Sequence, residues 1–587
     1  MFHTNPYQIG LRKISVLMRH MLFNFANTSL FLLLLITSEA ISQNVQIQAA
    51  RERLSSGDTA GALSLLESAA NEYPESADVH YWLALAYYKS ERISDALNSA
   101  QKTFAIKPKH LLNRSLLLDI YLKEENFTDA KAEAEFLLKE SPKDPDLRFR
   151  FAQCLAGLSQ FEEASIELSK LEVHKKLPYN LQYKVLLLLG DVYAKQNINE
   201  TAIAYYSKAA SVNGSSVDVH IKLGKTYFKE RQYNDALREY LEVVRLDSNN
   251  TEGNLNVGYI YYNGGKSNPQ QYGNAIFYLQ KYAALEPADP RGFLYIGKSF
   301  HALRSYSNAI PPLQTAARLD SGAGREETMK FLAESYSGIQ DHEKTIKMYE
   351  ELEKKQYPLD AMDYVRLGLS YKAIKDTLNT GKYFSKAASA DSLYHVLLQE
   401  VGLMYYGSKN FVEAARWFEK RIAANANDTA VAGTWQSLGL CQFYSAKTRQ
   451  DTLKALSSIR NAIHLKPYSQ YYWLIFAQIA EYADSAASAK MAYQQVVDID
   501  SNNAQAYFGL ASISYRLKNN DEAITYFKQV IRLDDKHKYA LYYLAQCYLR
   551  QKNNLAAIPY LRKYVELDPN GQFAVNSKRI LKQLGAN

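Results

Sequence analysis

Leu189-Gly190-Asp191-Val192-Tyr193, followed by Ala202 and then Tyr206, is the stretch that decides the fold. Its order is a Leu-Gly-x-x-Tyr hinge, a small residue thirteen positions after the hinge start, and a ring four positions further on. Close variants of the hinge begin at 83, 117, 151, 189, 223, 257, 296, 332, 367, 401, 438, 476, 510 and 544, and seven of the thirteen gaps are 34 residues. The clearest other copies are Leu223-Gly224-Lys225-Thr226-Tyr227, Leu367-Gly368-Leu369-Ser370-Tyr371 and Val401-Gly402-Leu403-Met404-Tyr405. Apolar residues between hinges recur at helical spacing, which predicts amphipathic helices rather than strands. A helical glycine costs up to about 1 kcal/mol relative to alanine, so its return in register means that something needs the missing side chain. Gly190 or Ala333 in a first helix, and Ala202 or Ala414 in a second, are expected to let two backbones approach closely. The hinge tyrosine lies four residues along the same face and is expected to fill space beside the neighbouring unit.

Several units close on a proline twelve residues after the small residue, as at Pro108, Pro142 and Pro467, where one helix stops and the next starts. The whole pattern resembles the tetratricopeptide repeat (TPR) over about residues 43–570. The resemblance implies an all-α, right-handed α–α superhelix, a TPR solenoid of about fifteen helical hairpins. It counts a worn first copy that ends at Ala62, Leu66, Ala69 and Pro74. Residues 571–587, with Phe573, Val575, Ile580 and Leu584 among polar neighbours, are expected to form the C-terminal capping helix. Thr345 and Thr380 stand where alanine is the rule, and looser packing is expected there. The gaps from 151 to 189, 257 to 296 and 438 to 476 mark insertions, and Asn263-Gly264-Gly265 with Pro269 predicts an elongated turn.

Arg12, Lys13 and Arg19 precede the apolar run Leu30–Ile36, and Ala40-Ile41-Ser42 follows as a small-x-small signature ahead of Gln43. This order predicts a cleaved signal peptide over residues 1–42, and hence an exported protein of the periplasm or outer membrane. The alternative is retention of residues 22–37 as an anchor, although that run is short of the about 20 residues a membrane span needs. The formal charge of +8 is spread among 61 acidic residues, a mixed solvated surface rather than a nucleic-acid footprint. Cys154, Cys441 and Cys547 each lie three residues past a hinge start. Equivalent positions several repeats apart exceed the Cα separation of about 7 Å that a disulfide tolerates, so all three are expected to be buried packing residues.

Gly264-Gly265-Lys266-Ser267 lacks the first glycine of a phosphate loop, because Ile260 stands there, and it follows a helix rather than a strand. His342-Glu343 has Ile346 where a zinc-protease helix needs its second histidine. The reading is therefore non-enzymatic, with no cofactor and no metal.

The resemblance implies a concave groove lined by first helices, with residues facing it five and two before the hinge start and two and five after it. Rings at or near those positions are Tyr259, Tyr262, Tyr406, Phe443, Tyr471, Phe508, Tyr515, Tyr539 and Tyr542. Exposed aromatics make strong anchors, and the alternative is that each fills space between adjacent helices. Tyr259 and Tyr542 are the preferred candidates, since Tyr261 and Tyr548 already fill the packing role in their repeats. Lys225, Arg291, Lys298 and Lys372 bring cations to the same face, suited to a carboxylate or an acidic peptide. The family's carboxylate clamp is not matched: Asn256 is in register, but Ile221, Lys225 and Tyr295 replace its other members. The expected partners are proteins or peptides, with a glycan as the alternative, in secretion, envelope assembly or polysaccharide export.

Overall fold

The structure is a computed structural model and describes residues 41–586 apart from 174–175, 323 and 426–427. The predicted signal segment before residue 41 lies outside the described residues. Every regular element among those described is helical, and none of the helices is long and apolar enough to cross a membrane. The chain divides into two compact units. The first comprises residues up to Gly264 together with Phe277–Leu285, and the second comprises Gly265–Ile276 and Glu286 onward.

Each unit is built from consecutive antiparallel hairpins. Val217–Lys229 with Tyr233–Leu246 is typical of the first unit, and Ala504–Arg516 with Asn520–Leu533 of the second. The insertions resolve differently. In one the first helix lengthens to Tyr179–Lys195, and in another the second helix lengthens to Arg449–Leu465. Residues 265–270 form the predicted long turn. The last hairpin is followed by the helix Ala574–Gln583.

The hinge glycine is a socket for a side chain. A Cβ on Gly190 or Gly368 would overlap the ring sixteen residues on, Tyr206 or Phe384, and one on Gly402 would lie 2.6 Å from Phe418. The expected close approach of two backbones is seen at Gly297 and Gly439, where a Cβ would lie 3.3 and 3.1 Å from the carbonyls of Ala309 and Ala455; at Gly190, Gly368 and Gly402 what fills the space first is a ring from the second helix. Where the hinge carries alanine the same pair persists, as Ala333 with Tyr349 and Ala511 with Phe527 in shared cores. The hinge tyrosines stack on a ring of their own hairpin, Tyr193 on Tyr205 at 5.5 Å, Tyr371 on Tyr383 at 5.4 Å and Tyr548 on Tyr560 at 6.0 Å, and as expected they also pack against the core of the preceding hairpin. Their hydroxyl ends reach back too, as Tyr371 does to Glu350.

Two devices close the turns. Between hairpins, a donor three residues before the hinge bonds a carbonyl six residues earlier. His80 Nε2 reaches Pro74 O at 2.8 Å, Arg114 Nε reaches Pro108 O at 2.7 Å, and Trp473 Nε1 reaches Pro467 O at 2.8 Å. Within hairpins, one residue per short turn takes the left-handed conformation, including Glu125 at φ 56° and Lys518 at φ 62°. The next amide then bonds back over the helix end, as Asn126 N does to Tyr121 O at 2.9 Å.

Thr345 and Thr380 are fully buried, and their hydroxyls donate to the carbonyls of Asp341 and Asp376 at 2.8 and 2.7 Å. Their extra polar atom is therefore satisfied inside the helix without opening the hairpin. All three cysteines are free and buried. Burial pushes the thiols of Cys154 and Cys441 up to about 12 and that of Cys547 to about 11.

The first-helix face as a candidate binding surface

Positions five before and two after a hinge start are seven residues apart, two helical turns, and therefore share one face of the first helix. The expected cations on that face are engaged. Lys225 Nζ lies 2.8 Å from Glu252, Lys298 Nζ 2.7 Å from Glu327, and Lys372 is paired with Glu400. Each acid belongs to the next first helix. Arg291 is bonded to Asp289, the N-cap of its own helix. A second ladder runs the other way, from the residue before one hinge to the acid two past the preceding hinge start. Its rungs are Arg150–Asp119, Lys222–Asp191 and Arg366–Glu334. These charges knit neighbouring repeats together, so the expected anion-receiving cluster is neutralised by the protein itself. Lys298 is only 7% exposed and lies over the Tyr295 and Phe331 rings.

The rings divide. Tyr542 is 7% exposed, stacked on Phe573 at 4.1 Å, and its hydroxyl accepts from Asn576 Nδ2 at 3.1 Å. Tyr548 does fill the packing role, but the C-terminal segment covers Tyr542, which is a core residue rather than an anchor. Tyr259 and Tyr262 are half-buried, the former 5.9 Å from Phe228. Phe508 packs on His537 at 4.7 Å, and Tyr515 lies under the Arg550 guanidinium at 3.6 Å. Tyr471 and Tyr539 are exposed. Tyr406 and Phe443 join Phe411, Tyr444 and Tyr482 in one string of rings, with centroid steps of 5.1–6.4 Å across three repeats.

The residues that the structure adds are aliphatic. Met362 and Val396 stand five before their hinges and Leu369 and Leu403 two after, and all four are 43–54% exposed. They belong to the adjacent first helices Ala361–Ala373 and Val396–Gly407, which the Lys372–Glu400 pair ties together. In the first unit the same positions most often carry acids, as Asp78, Asp146, Asp218, Asp119 and Asp191, although exposed Leu112 also stands there. The register was therefore readable in the sequence, but these aliphatics look like core until the neighbouring helices show that nothing covers them. Among the described residues no group of three or more His, Cys, Asp or Glu side chains is placed to hold a metal ion.

Tetratricopeptide-repeat family models match residues 53–116 and 121–175, 183–215 and 217–250, and 476–537 and 515–571. The chain is a tetratricopeptide-repeat protein. Among curated relatives, this TPR chain is 24% identical over 334 residues to the BBSome complex member BBS4 homolog of Drosophila melanogaster, a match covering 49% of this chain and 67% of that one. It is also 24% identical over 179 residues to Anaphase-promoting complex subunit 3 of Schizosaccharomyces pombe, which covers 30% of this chain and only 26% of the relative. Among solved structures, the APC/C hetero-tetramer Cut9–Hcn1 aligns over 87% of this chain and 98% of its own, at 16% identity and a TM-score of 0.30.

Proposed function

We propose that this TPR protein is a non-enzymatic scaffold of the bacterial envelope, serving secretion or envelope assembly by holding a protein partner on the first-helix face of its second unit. The observation that carries the reading is the open aliphatic patch of Met362, Leu369, Val396 and Leu403 on two adjacent helices. Covering half-exposed side chains of this size contributes roughly 1 kcal/mol each, and the helices beneath are already ordered, so little entropy is lost on binding. The self-neutralised charges of the same face favour a partner segment that is apolar rather than strongly acidic. The two curated relatives are named as members of protein complexes, which supports a protein partner. The envelope location rests on the basic, apolar and small-residue order before Gln43.

The test is co-purification from the native host with the intact chain and with a Leu369→Asp, Leu403→Asp variant, checked for unchanged helicity. A protein retained by the parent and lost from the variant is the expected result. Equal retention by both moves binding away from this face, and recovery of polysaccharide without protein replaces the protein reading with the glycan one.

A further inference from the structure

The turns inside the second unit's hairpins share one edge, because successive first helices lie side by side in the same direction. Their side chains touch from turn to turn: Tyr406 reaches Tyr444 at 6.4 Å, Phe443 reaches Tyr482 at 5.1 Å, and Arg550 Nη1 donates to Tyr515 O at 2.9 Å. This edge has a composition that the fold does not require. In the first unit the left-handed slots of the same turns hold Glu91, Glu125, Ser159, Asn197 and Arg231. The second position of the following helix there is Ser94, Thr128, Glu162, Glu200 or Asn234.

In the second unit the left-handed slots hold Lys375, Lys409, Lys518 and Lys552, and the longer turn between Ala432–Tyr444 and Arg449–Leu465 supplies Lys447 and Arg449. All six are exposed, and among the described residues none of them makes an ion pair. Of the other left-handed slots inside this unit's hairpins, Arg304 adds a cation and Gln340 and Asp484 are the exceptions. Beside the cations stand large apolar side chains turned out to solvent. Leu378 is 74% exposed, Tyr482 74%, Leu517 61% and Leu555 83%, with Val412 and Tyr444 above half. Leu378, Val412 and Leu555 each occupy the second position of a second helix, where the first unit has no large apolar side chain.

We propose that this edge is a peripheral membrane-docking surface that meets an anionic lipid headgroup layer. Unpaired lysines and arginines at successive turns meet the phosphates, while the adjoining leucines and tyrosines enter the boundary between headgroups and acyl chains. Tyrosine suits that boundary because its ring is apolar and its hydroxyl stays wet. An acidic protein would find the same cations but gives no reason for the isolated exposed leucines beside them at three of these turns, Leu378, Leu517 and Leu555. This surface is separate from the aliphatic patch on the first-helix face and stands or falls without it.

The experiment is co-sedimentation of the full chain with vesicles of phosphatidylcholine alone and with one part in three of phosphatidylglycerol. Binding to the anionic vesicles only, weakened by salt, is expected. The Lys375→Glu, Lys409→Glu, Lys447→Glu variant is expected to lose about a hundredfold in partitioning. Glutamate is tolerated in the left-handed slot at Glu91 and Glu125, and Lys447 is an exposed turn residue, so this variant keeps the fold, and Lys89→Glu in the first unit serves as the control that changes nothing. Leu378→Ser with Leu517→Ser is expected to weaken binding at constant charge. Equal binding of parent and triple variant, binding to neutral vesicles as well as to anionic ones, or retention on polyglutamate with no vesicle binding each overturns the proposal.

Discussion

Arg114 shows how much one side chain does in this repeat. Its guanidinium bonds the Pro108 carbonyl and Glu133 at 2.8 Å, and it lies over the Phe136 ring at 3.7 Å. The carbonyl-and-acid part of this arrangement recurs one hairpin on, where Arg148 bonds Pro142 O and Glu167, and again where His220 bonds Gly214 O and Glu239. Burial raises Glu133 above the usual carboxylate range even though Arg114 pulls it down, so the pair depends on both members. Arg114→Met is expected to cost about 3 kcal/mol, because it leaves a buried acid and a buried carbonyl without a partner. Urea unfolding followed by circular dichroism measures this, and a loss below about 0.5 kcal/mol would show the clamp to be ornamental. The cysteines give a second prediction at this scale. With thiols pushed to about 12, Cys154 and Cys441 carry about one thiolate in ten thousand at pH 8. The folded chain is expected to leave Ellman's reagent unconsumed at pH 8, and all three thiols to react in denaturant. Rapid labelling of the native protein would contradict the burial.

At the scale of the element, the left-handed turn residue is the exposed weak point of each hairpin. A side chain in that conformation costs about 1–2 kcal/mol, part of which glycine returns to the flexibility of the unfolded chain. Glu125→Gly is expected to stabilise by about 0.5–1 kcal/mol, whereas Glu124→Gly, at φ −83°, is expected to stabilise nothing. Thermal melts of the two variants against the parent decide it. Gly402→Val, which drives a branched side chain into the Phe418 ring, is expected to lose about 1–3 kcal/mol. These cases also show what the sequence made legible. Gly402 and Ala414 were readable because one residue type returns at one period for one steric reason. The left-handed slot was not, because Glu, Ser, Asn, Arg, Gln, Lys and Asp all occupy it and glycine marks it only in the first hairpin, at Gly57. The carbonyl clamp was hidden in the same way, since His80, Arg114, Asn254 and Trp473 do one task with four chemistries. On the candidate surface, Tyr542 was misplaced because burial by Phe573 comes from beyond its own hairpin. Met362 and Leu403 went unnoticed because exposure is decided by the helices on either side.

Across the whole molecule, the sockets, stacks and clamps join residues within one hairpin or between adjacent ones, so stability accumulates as a sum over near neighbours. Many of those contacts use tyrosine, of which the chain has 46. Burial first, and a neighbouring carboxylate second, raise Tyr87 and Tyr205 to about 12 through Glu67 and Glu172. Burial raises Tyr206, Tyr240, Tyr349 and Tyr383 further still. The neutral, protonated form is the one that the fold holds. An unfolded tyrosine ionises near 10 and an unfolded cysteine near 8.5, so between those values and the raised ones the unfolded chain releases protons that the folded chain keeps. Stability from these groups is therefore complete below about pH 8.5 and drains away as pH rises toward 12. The melting temperature is expected to be level from pH 7 to about 8.5 and to fall steeply above about 10. Tyrosinate absorbance should then rise together with the loss of helical signal. If most of the tyrosinate signal appeared near pH 10 with the helical spectrum intact, the rings would be in water, and neither the sockets nor the stacks would hold this array together.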